Sequence, residues 1–345
     1  MHEVIAALID ARTEVGRAAW RSLWDELDAG ALDKGDAVAL LTSLATRLPG
    51  PETLRNLLLS LDERRPAAPH RWPGAVNIVG TGGGPKSFNV STAAAFVAAA
   101  MGVPVVKTGS RAYTSSYGSI DLLDRLGIGL TRSHSQTGDV LARHGIAFAG
   151  PYVYPAALTR LARQILPLSM RAFGRFLNAT GPLLASVPVT AQVTGVSAQA
   201  PLGVLRRLAA SLPDRPLWLV ANDVGADELL GFADNVIYPN DGSPDVELWP
   251  GRFTTSGGDV ADLAPITDPA GLVEHFLGVL SGVGNPVATD AVCLNAAALA
   301  VAGGHATDWA AAVAAAHDAV RDGAPRRLAE SMRSVRPVPL AVQRG

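Results

Sequence analysis

The sequence predicts an α/β protein in two parts, a small all-helical domain and a large α/β domain with a central mixed sheet and a C-terminal helical cluster. Three observations predict it. Residues 1–64 carry helical periodicity alone, strand and helix patterns alternate from Val76 onward, and the Ala-rich chain beyond residue 270 returns to helix. In the first part, apolar residues recur at helical spacing over 4–8, 18–27, 37–48 and 54–61, and Pro51 suits the first turn of a helix. The Pro- and Arg-rich stretch ERRPAAPHRWPG at 63–74 reads as a linker. The expected division is therefore 1–64 helical, 65–74 linker and 75–345 α/β, with part of about 155–185 packing on the helical unit. Strands are expected at 76–79, 103–106, 146–149, 187–193, 217–220, 235–238 and 246–249. Helices are expected at 92–101, 120–126, 136–143, 156–165 and 203–212, then at 270–280, 288–301, 309–321 and 326–332.

Composition narrows the function. A net charge of −2 over 345 residues provides no basic field for nucleic acid or an anionic lipid surface. The longest apolar stretches, 93–106 and 291–301, fall short of the roughly 18 residues of a membrane span and read as buried elements. Early acids and the lack of an uninterrupted apolar run argue against a signal peptide at the N-terminus, so a cytoplasmic protein is expected. Cys293 is the single cysteine, which excludes internal disulfides and cysteine-ligated zinc, and its apolar neighbours suggest an inert thiol.

The most informative segment is 77–127. A short strand runs into GTGGG at 80–84, a helix opens on Asn89-Val90-Ser91-Thr92, and a second strand ends at Lys107 before a loop rich in Gly and Ser. Glycines let backbone N–H groups approach a ligand, and the helix N-terminus adds partial positive charge, so this is an anion site, most plausibly for phosphate. It is not a Walker A loop, since Pro85 precedes Lys86-Ser87 where glycine is required. Only Lys34, Lys86 and Lys107 among 29 basic residues are lysine, and two of them lie here; an ammonium is a compact charge suited to phosphate oxygens. Further on, Asp223, Asp227 and Glu228 follow a strand end beside Gly225, a grouping that can hold Mg²⁺ with the help of waters or can simply stabilise a helix start.

These segments resemble a known family. GTGG at 80–83, FNVST at 88–92, K-x-G-x-R at 107–111, SSYGSIDLLDRLG at 115–127, FLNATGPLL at 176–184, GADEL at 225–229 and DAVCLNAAA at 290–298 look, in order, like the anthranilate phosphoribosyltransferases. The resemblance implies a helical domain plus an α/β domain, a homodimer, and transfer of phosphoribosyl from 5-phosphoribosyl 1-diphosphate with Mg²⁺ and release of pyrophosphate. Carried over residue by residue, Gly80, Gly83, Ser87, Asn89, Ser91, Thr92, Lys107, Arg111, Ser115 and Ser119 would line the donor site, and Ser91, Asp227 and Glu228 would serve the metal. No protein nucleophile is implied.

Departures gather on the acceptor side. The family's KHGN reads Lys107-Thr108-Gly109-Ser110, its GTGGD ends in Gly84, its His-Pro is Tyr154-Pro155, and its Val-His-Gly is Val220-Ala221-Asn222 followed by Asp223. Thr108, Ser110, Tyr154, Arg163 and Arg171 are the acceptor-site candidates, with Arg160 a further choice for a carboxylate partner. The expectation is an amine acceptor other than anthranilate, such as an aminoglycoside-type amine of specialised metabolism. The alternatives are anthranilate itself in tryptophan biosynthesis, a pyrimidine nucleoside phosphorylase-like enzyme sharing the architecture, and a non-catalytic relative that binds nucleic acid.

Overall fold

The computed structural model describes residues 1–66, 71–109, 118–255 and 257–333. Four helices come first: α1 (Glu3–Asp10), α2 (Arg17–Asp28), α3 (Lys34–Thr46) and α4 (Pro51–Asp62). Local chemistry starts them where expected. Asp33 accepts from Asp36 N–H at 2.8 Å as the N-cap of α3, and Pro51 sits in the first turn of α4. Their apolar faces close around Trp20, Trp24, Leu40 and Leu57. The two indoles stack at 5.6 Å, and Trp24 Nε1 donates to Ser60 Oγ.

The chain then runs β1 (Val76–Gly80), α5 (Val90–Ala100), β2 (Val105–Lys107), α6 (Ser119–Leu126), α7 (His134–His144) and β3 (Ile146–Phe148). Next come α8 (Ala156–Gln164), α9 (Gly174–Leu184), β4 (Ala191–Gly195), α10 (Leu202–Ala210), β5 (Leu217–Asn222), β6 (Asn235–Pro239) and β7 (Val246–Leu248). Helices α11 (Pro269–Val279), α12 (Pro286–Ala302), α13 (Trp309–Arg321) and α14 (Ala324–Met332) follow. The seven strands form one mixed sheet in the order β3-β2-β1-β4-β5-β6-β7, parallel from β3 through β5 and antiparallel at β6 and β7. From β1 the chain winds outward to β2 and β3, then crosses back to β4 on the other side. That reversal opens a crevice at the carboxyl ends of β1 and β4, where open α/β sheets bind ligands.

Of the two apolar stretches, the first runs from α5 into β2 and the second lies within α12; both are largely buried. In α12, 13 of 17 residues are buried, and it packs with α5 beneath the sheet, where alanines permit close approach of the backbones. Among the described residues no helix is long and apolar enough to cross a membrane. Cys293 lies in α12, fully buried, and burial beside Asp290 pushes its thiol up, away from reactivity. On the opposite side, α1–α4 share a core with Leu161 of α8, Ile165 just after it, Phe176 of α9, Leu208 of α10 and Leu219 of β5.

Two expectations differ from the structure. The strand expected at 187–193 is β4, four residues later, because Pro188 cannot donate to a ladder. Its carbonyl instead accepts from Trp72 N–H at 2.9 Å. Helix α9 carries no helix expectation at all, since Gly174, Thr180, Gly181 and the internal Pro182 mask its periodicity.

Candidate functional site

At the crevice, β1 ends in Gly80 and the backbone turns through Gly82 and Gly83 at φ +65° and +82°, values that favour glycine. The loop 223–234 between β5 and β6 folds directly onto these strand ends. A Cβ on Gly80 would lie 2.1 Å from Asp227 Oδ2, and one on Gly195 only 1.7 Å from the Asp227 carbonyl oxygen. Glycine at both strand ends is thus what admits the acidic loop. Asp227 Oδ2 accepts from Gly82 N–H at 2.7 Å, and Ser87 Oγ donates to Glu228 Oε1 at 2.6 Å, tying the acidic loop to the glycine turn.

The charges here are buried. Glu228 is 8% exposed, and its Oε2 is buried without a hydrogen-bond partner. Burial pushes both carboxyls up, Glu228 the further because the Asp227 charge lies beside it, whereas Gly82 N–H and Lys107 ease Asp227. Lys107, at the end of β2, is 3% exposed and donates to Ile78 O (2.9 Å), Ser91 Oγ (3.3 Å) and Thr108 O (3.3 Å). Burial lowers its pKa to about 7 against the pull of Asp227. Around these groups lies a cleft of about 310 Å³, floored by the glycine turn and walled by Ser87, Asn89, Ser91, Lys107, Asp227 and Glu228. Among the described residues no group of three or more His, Cys, Asp or Glu could hold a metal by itself. Two carboxylates, one with an unsatisfied buried oxygen, suit a divalent cation shared with a phosphate-bearing ligand.

A second cleft of about 290 Å³ adjoins the first, with Gly82 and Gln199 common to both. Its walls come from α3 (Leu44), α9 (Arg175, Asn178) and α10 (Val204), and no carboxylate lines it.

Relatives with this architecture are known. A model of the glycosyl transferase family, a/b domain, matches residues 73–326. The anthranilate phosphoribosyltransferase of Methylorubrum extorquens is 34% identical over 93% of this chain and 94% of its own. The chain belongs to the anthranilate phosphoribosyltransferase family. It is accordingly an enzyme of the phosphoribosyltransferase class. The anthranilate phosphoribosyltransferase of Thermus thermophilus superposes with a TM-score of 0.77 at 27% identity, covering 97% of this chain and 99% of that one. The Saccharomyces cerevisiae enzyme, solved with PRPP and Mg, shares the fold at a TM-score of 0.69 and 21% identity, over 92% of this chain and 98% of its own.

Against this family background, the structure brings together Gly80, Gly83, Ser87, Asn89, Ser91, Lys107, Ser119, Asp227 and Glu228 in the first cleft. Asn89 stands at the N-cap position of α5, but its side chain makes no capping hydrogen bond. Thr92 is fully buried outside the cleft lining, its Oγ1 without a partner, because one turn into α5 the helix has rotated it toward the core. Arg111, Ser115 and Ser110 lie outside the described residues.

On the acceptor side, Thr108 borders the first cleft but commits its polar groups to Asn77, whose Nδ2 donates to Thr108 Oγ1 and whose Oδ1 accepts from Thr108 N–H, both at 3.0 Å. Tyr154 Oη donates to Gly109 O at 3.4 Å and braces that loop without lining either cleft. Arg163 and Arg171 are exposed and line neither, and Arg160 pairs with Asp28. Asp223 is exposed, accepts from Asp234 N–H at 3.1 Å and faces neither cleft, so the acidic group in the site is a pair and not a triplet. Arg175, Asn178 and Gln199 went unnoticed in the sequence. The first two stand in or beside the FLNATGPLL motif, which was the available signal.

Proposed function

We propose that the chain transfers the phosphoribosyl group of 5-phosphoribosyl 1-diphosphate to the amine of anthranilate, with Mg²⁺ and release of pyrophosphate. The carrying observation is the pair of clefts that meet at Gly82 and Gln199. One offers a glycine turn, Lys107 and two buried carboxylates; the other offers an arginine, apolar walls and no carboxylate. A diphosphate fits the first, and a planar carboxylate-bearing amine fits the second. The partnerless Glu228 Oε2, with Asp227 beside it, fits Mg²⁺, which when bound neutralises charge on the departing diphosphate. The chain's own residues do the rest. Lys107, held by Ile78 O and Ser91 Oγ, sets an ammonium against phosphate oxygens, and backbone N–H groups of the glycine turn donate to the same anion. As the C1–O bond breaks, its electron pair leaves with pyrophosphate, and the amine nitrogen closes on C1 and passes its proton to solvent or to the released pyrophosphate. Arg175 would hold the acceptor carboxylate and so orient the amine.

The relatives named above favour anthranilate over the aminoglycoside-type amine expected from the sequence, and none supports a role in specialised metabolism. Asp223, the further acid beside the pair in sequence, faces neither cleft and offers a cationic acceptor no charge there. One observation favours a different acceptor as a second reading: where the family resemblance calls for His, Thr108 has its hydroxyl bound to Asn77. A pyrophosphate-release assay with anthranilate and a panel of amines separates the two. Turnover of anthranilate at roughly 10⁴ M⁻¹s⁻¹ or more supports the first, and preference for an amine lacking a carboxylate supports the second.

A further inference from the structure

The loop 223–234 that carries Asp227 and Glu228 has no helix or strand of its own, yet both carboxylates sit at defined points on the strand ends. Three asparagine amides account for this. Asn222, at the end of β5, accepts from Ala226 N–H at 3.0 Å and donates to Glu228 O at 2.7 Å. Asn295, 2% exposed in the middle of α12, accepts from Leu229 N–H at 3.1 Å and donates to Leu229 O at 2.8 Å. Asn235, opening β6, closes Leu230 in the same way, accepting its N–H at 2.9 Å and donating to its C=O at 2.8 Å. An amide both donates and accepts, so one side chain can satisfy both backbone groups of one residue, as a neighbouring strand would. Leu229 and Leu230, each fully buried, pin the same stretch by packing.

We propose that Asn222 and Asn295 are positioning residues for the metal-binding pair, acting on Asp227 and Glu228 through the backbone of 226–229. The inference rests on the donor and metal assignment given under the proposed function. Their amides lock the two residues immediately before and after the carboxylates, so the pair meets the cation without reordering a loop. Neither asparagine lines either cleft, which separates this role from contact with substrate.

Asparagine to aspartate keeps shape and acceptor but deletes the donor, leaving the carbonyl of Glu228 or Leu229 opposite a carboxylate. The test is calorimetric titration of the full-length protein with phosphoribosyl diphosphate at a series of Mg²⁺ concentrations, with urea denaturation in parallel. Asn222→Asp and Asn295→Asp should raise the Mg²⁺ needed for half-maximal donor binding about tenfold, equivalent to ~1.4 kcal/mol. Asn240→Asp is the control. Asn240 clamps Ala209 O, Leu212 O and Arg215 O in a loop far from the acids, so its loss should lower stability and leave the Mg²⁺ dependence alone. Asn222 is only half-buried, and its variant carries the test if Asn295→Asp does not fold. Wild-type Mg²⁺ dependence in Asn222→Asp, or an equal shift in Asn240→Asp, overturns the positioning role alone. A wild-type protein that binds no donor at any Mg²⁺ concentration overturns the donor assignment and this inference with it.

Discussion

Under the proposed function, donor binding turns on Lys107 and Glu228, which both line the first cleft. Lys107→Met keeps most of the buried volume but removes the ammonium held by Ile78 O and Ser91 Oγ. Charge-assisted hydrogen bonds contribute about 1.5–3 kcal/mol, so donor affinity measured by calorimetry should fall roughly tenfold to a hundredfold. Glu228→Gln keeps an acceptor for Ser87 and removes one metal-binding charge, and donor affinity in this variant should no longer respond to Mg²⁺ or chelator. A residue outside the acidic pair contributes to acid sensitivity. His275 packs edge-on against Phe88 at 5.2 Å, and burial lowers its pKa below 6.5. With the folded value depressed, the unfolded chain binds the proton more readily, so stability is intact above pH 6.5 and is lost as pH falls through the folded value. Urea midpoints should therefore drop more between pH 7.5 and 5.5 in the wild type than in His275→Gln. Lys107 was legible because it ends β2 just before Gly109, and the Asp227-Glu228 pair because it follows β5 in a loop beside Gly225. The inward turn of Thr92 was not, because a helix phase misjudged by one residue rotates a side chain by about 100°.

Between elements, the junction of the helical unit with the sheet turns on Asp62 at the end of α4. Its carboxylate pairs with Arg65 at 2.9 Å and with Arg215. Those guanidiniums in turn donate to the last carbonyls of α9: Arg65 to Leu184 O, and Arg215 to Leu183 O at 2.6 Å. Basic groups at a helix C-terminus satisfy orphan carbonyls and oppose the helix dipole. Asp62→Ala leaves both arginines without their counter-charge, and Arg65 is 13% exposed, so the loss should be about 2 kcal/mol, read as a lower urea midpoint. The packing of part of 155–185 on the helical unit was expected, but α9 as a helix and its arginine clamp could not be read ahead. The helix hides behind Gly174, Gly181 and Pro182, and its stability comes from Phe176 and Leu183 packing on α1–α4 and from distant arginines. The strands fared better, since β1, β3, β5, β6 and β7 announce themselves as apolar runs bounded by turns. β4 slipped only because Val187 and Val189 continue the apolar run past Pro188, packing in a separate cluster beside Ala75 and Val106.

At the scale of the whole molecule, the two clefts, proposed to take donor and acceptor, differ in how they are built, and that difference explains what the sequence could reveal. The donor cleft comes from loops at the ends of neighbouring strands, each a local motif with its own glycine or charge. The second cleft is assembled from α3, α9, α10 and the loop 198–201, segments more than a hundred residues apart at the extreme, no helix contributing more than three side chains. No spacing rule points to Leu44, Arg175 and Val204 together. The prediction at this scale separates the clefts. Arg175→Ala should raise the KM for anthranilate about tenfold to a hundredfold, the cost of one charge-assisted contact to a carboxylate, while leaving the KM for phosphoribosyl diphosphate within about twofold. Asp223→Asn should change neither constant, because its carboxylate is engaged with Asp234 N–H on the outer side of the loop. If Arg175→Ala instead weakens both substrates equally, the arginine serves the donor or the fold, and the two-cleft division of labour fails. If Arg175→Ala is silent toward anthranilate but an amine without a carboxylate is turned over faster than anthranilate by the wild type, the acceptor is not an aromatic acid. In that case Thr108, drawn back against Asn77, marks the wider pocket of a diverged member of the family.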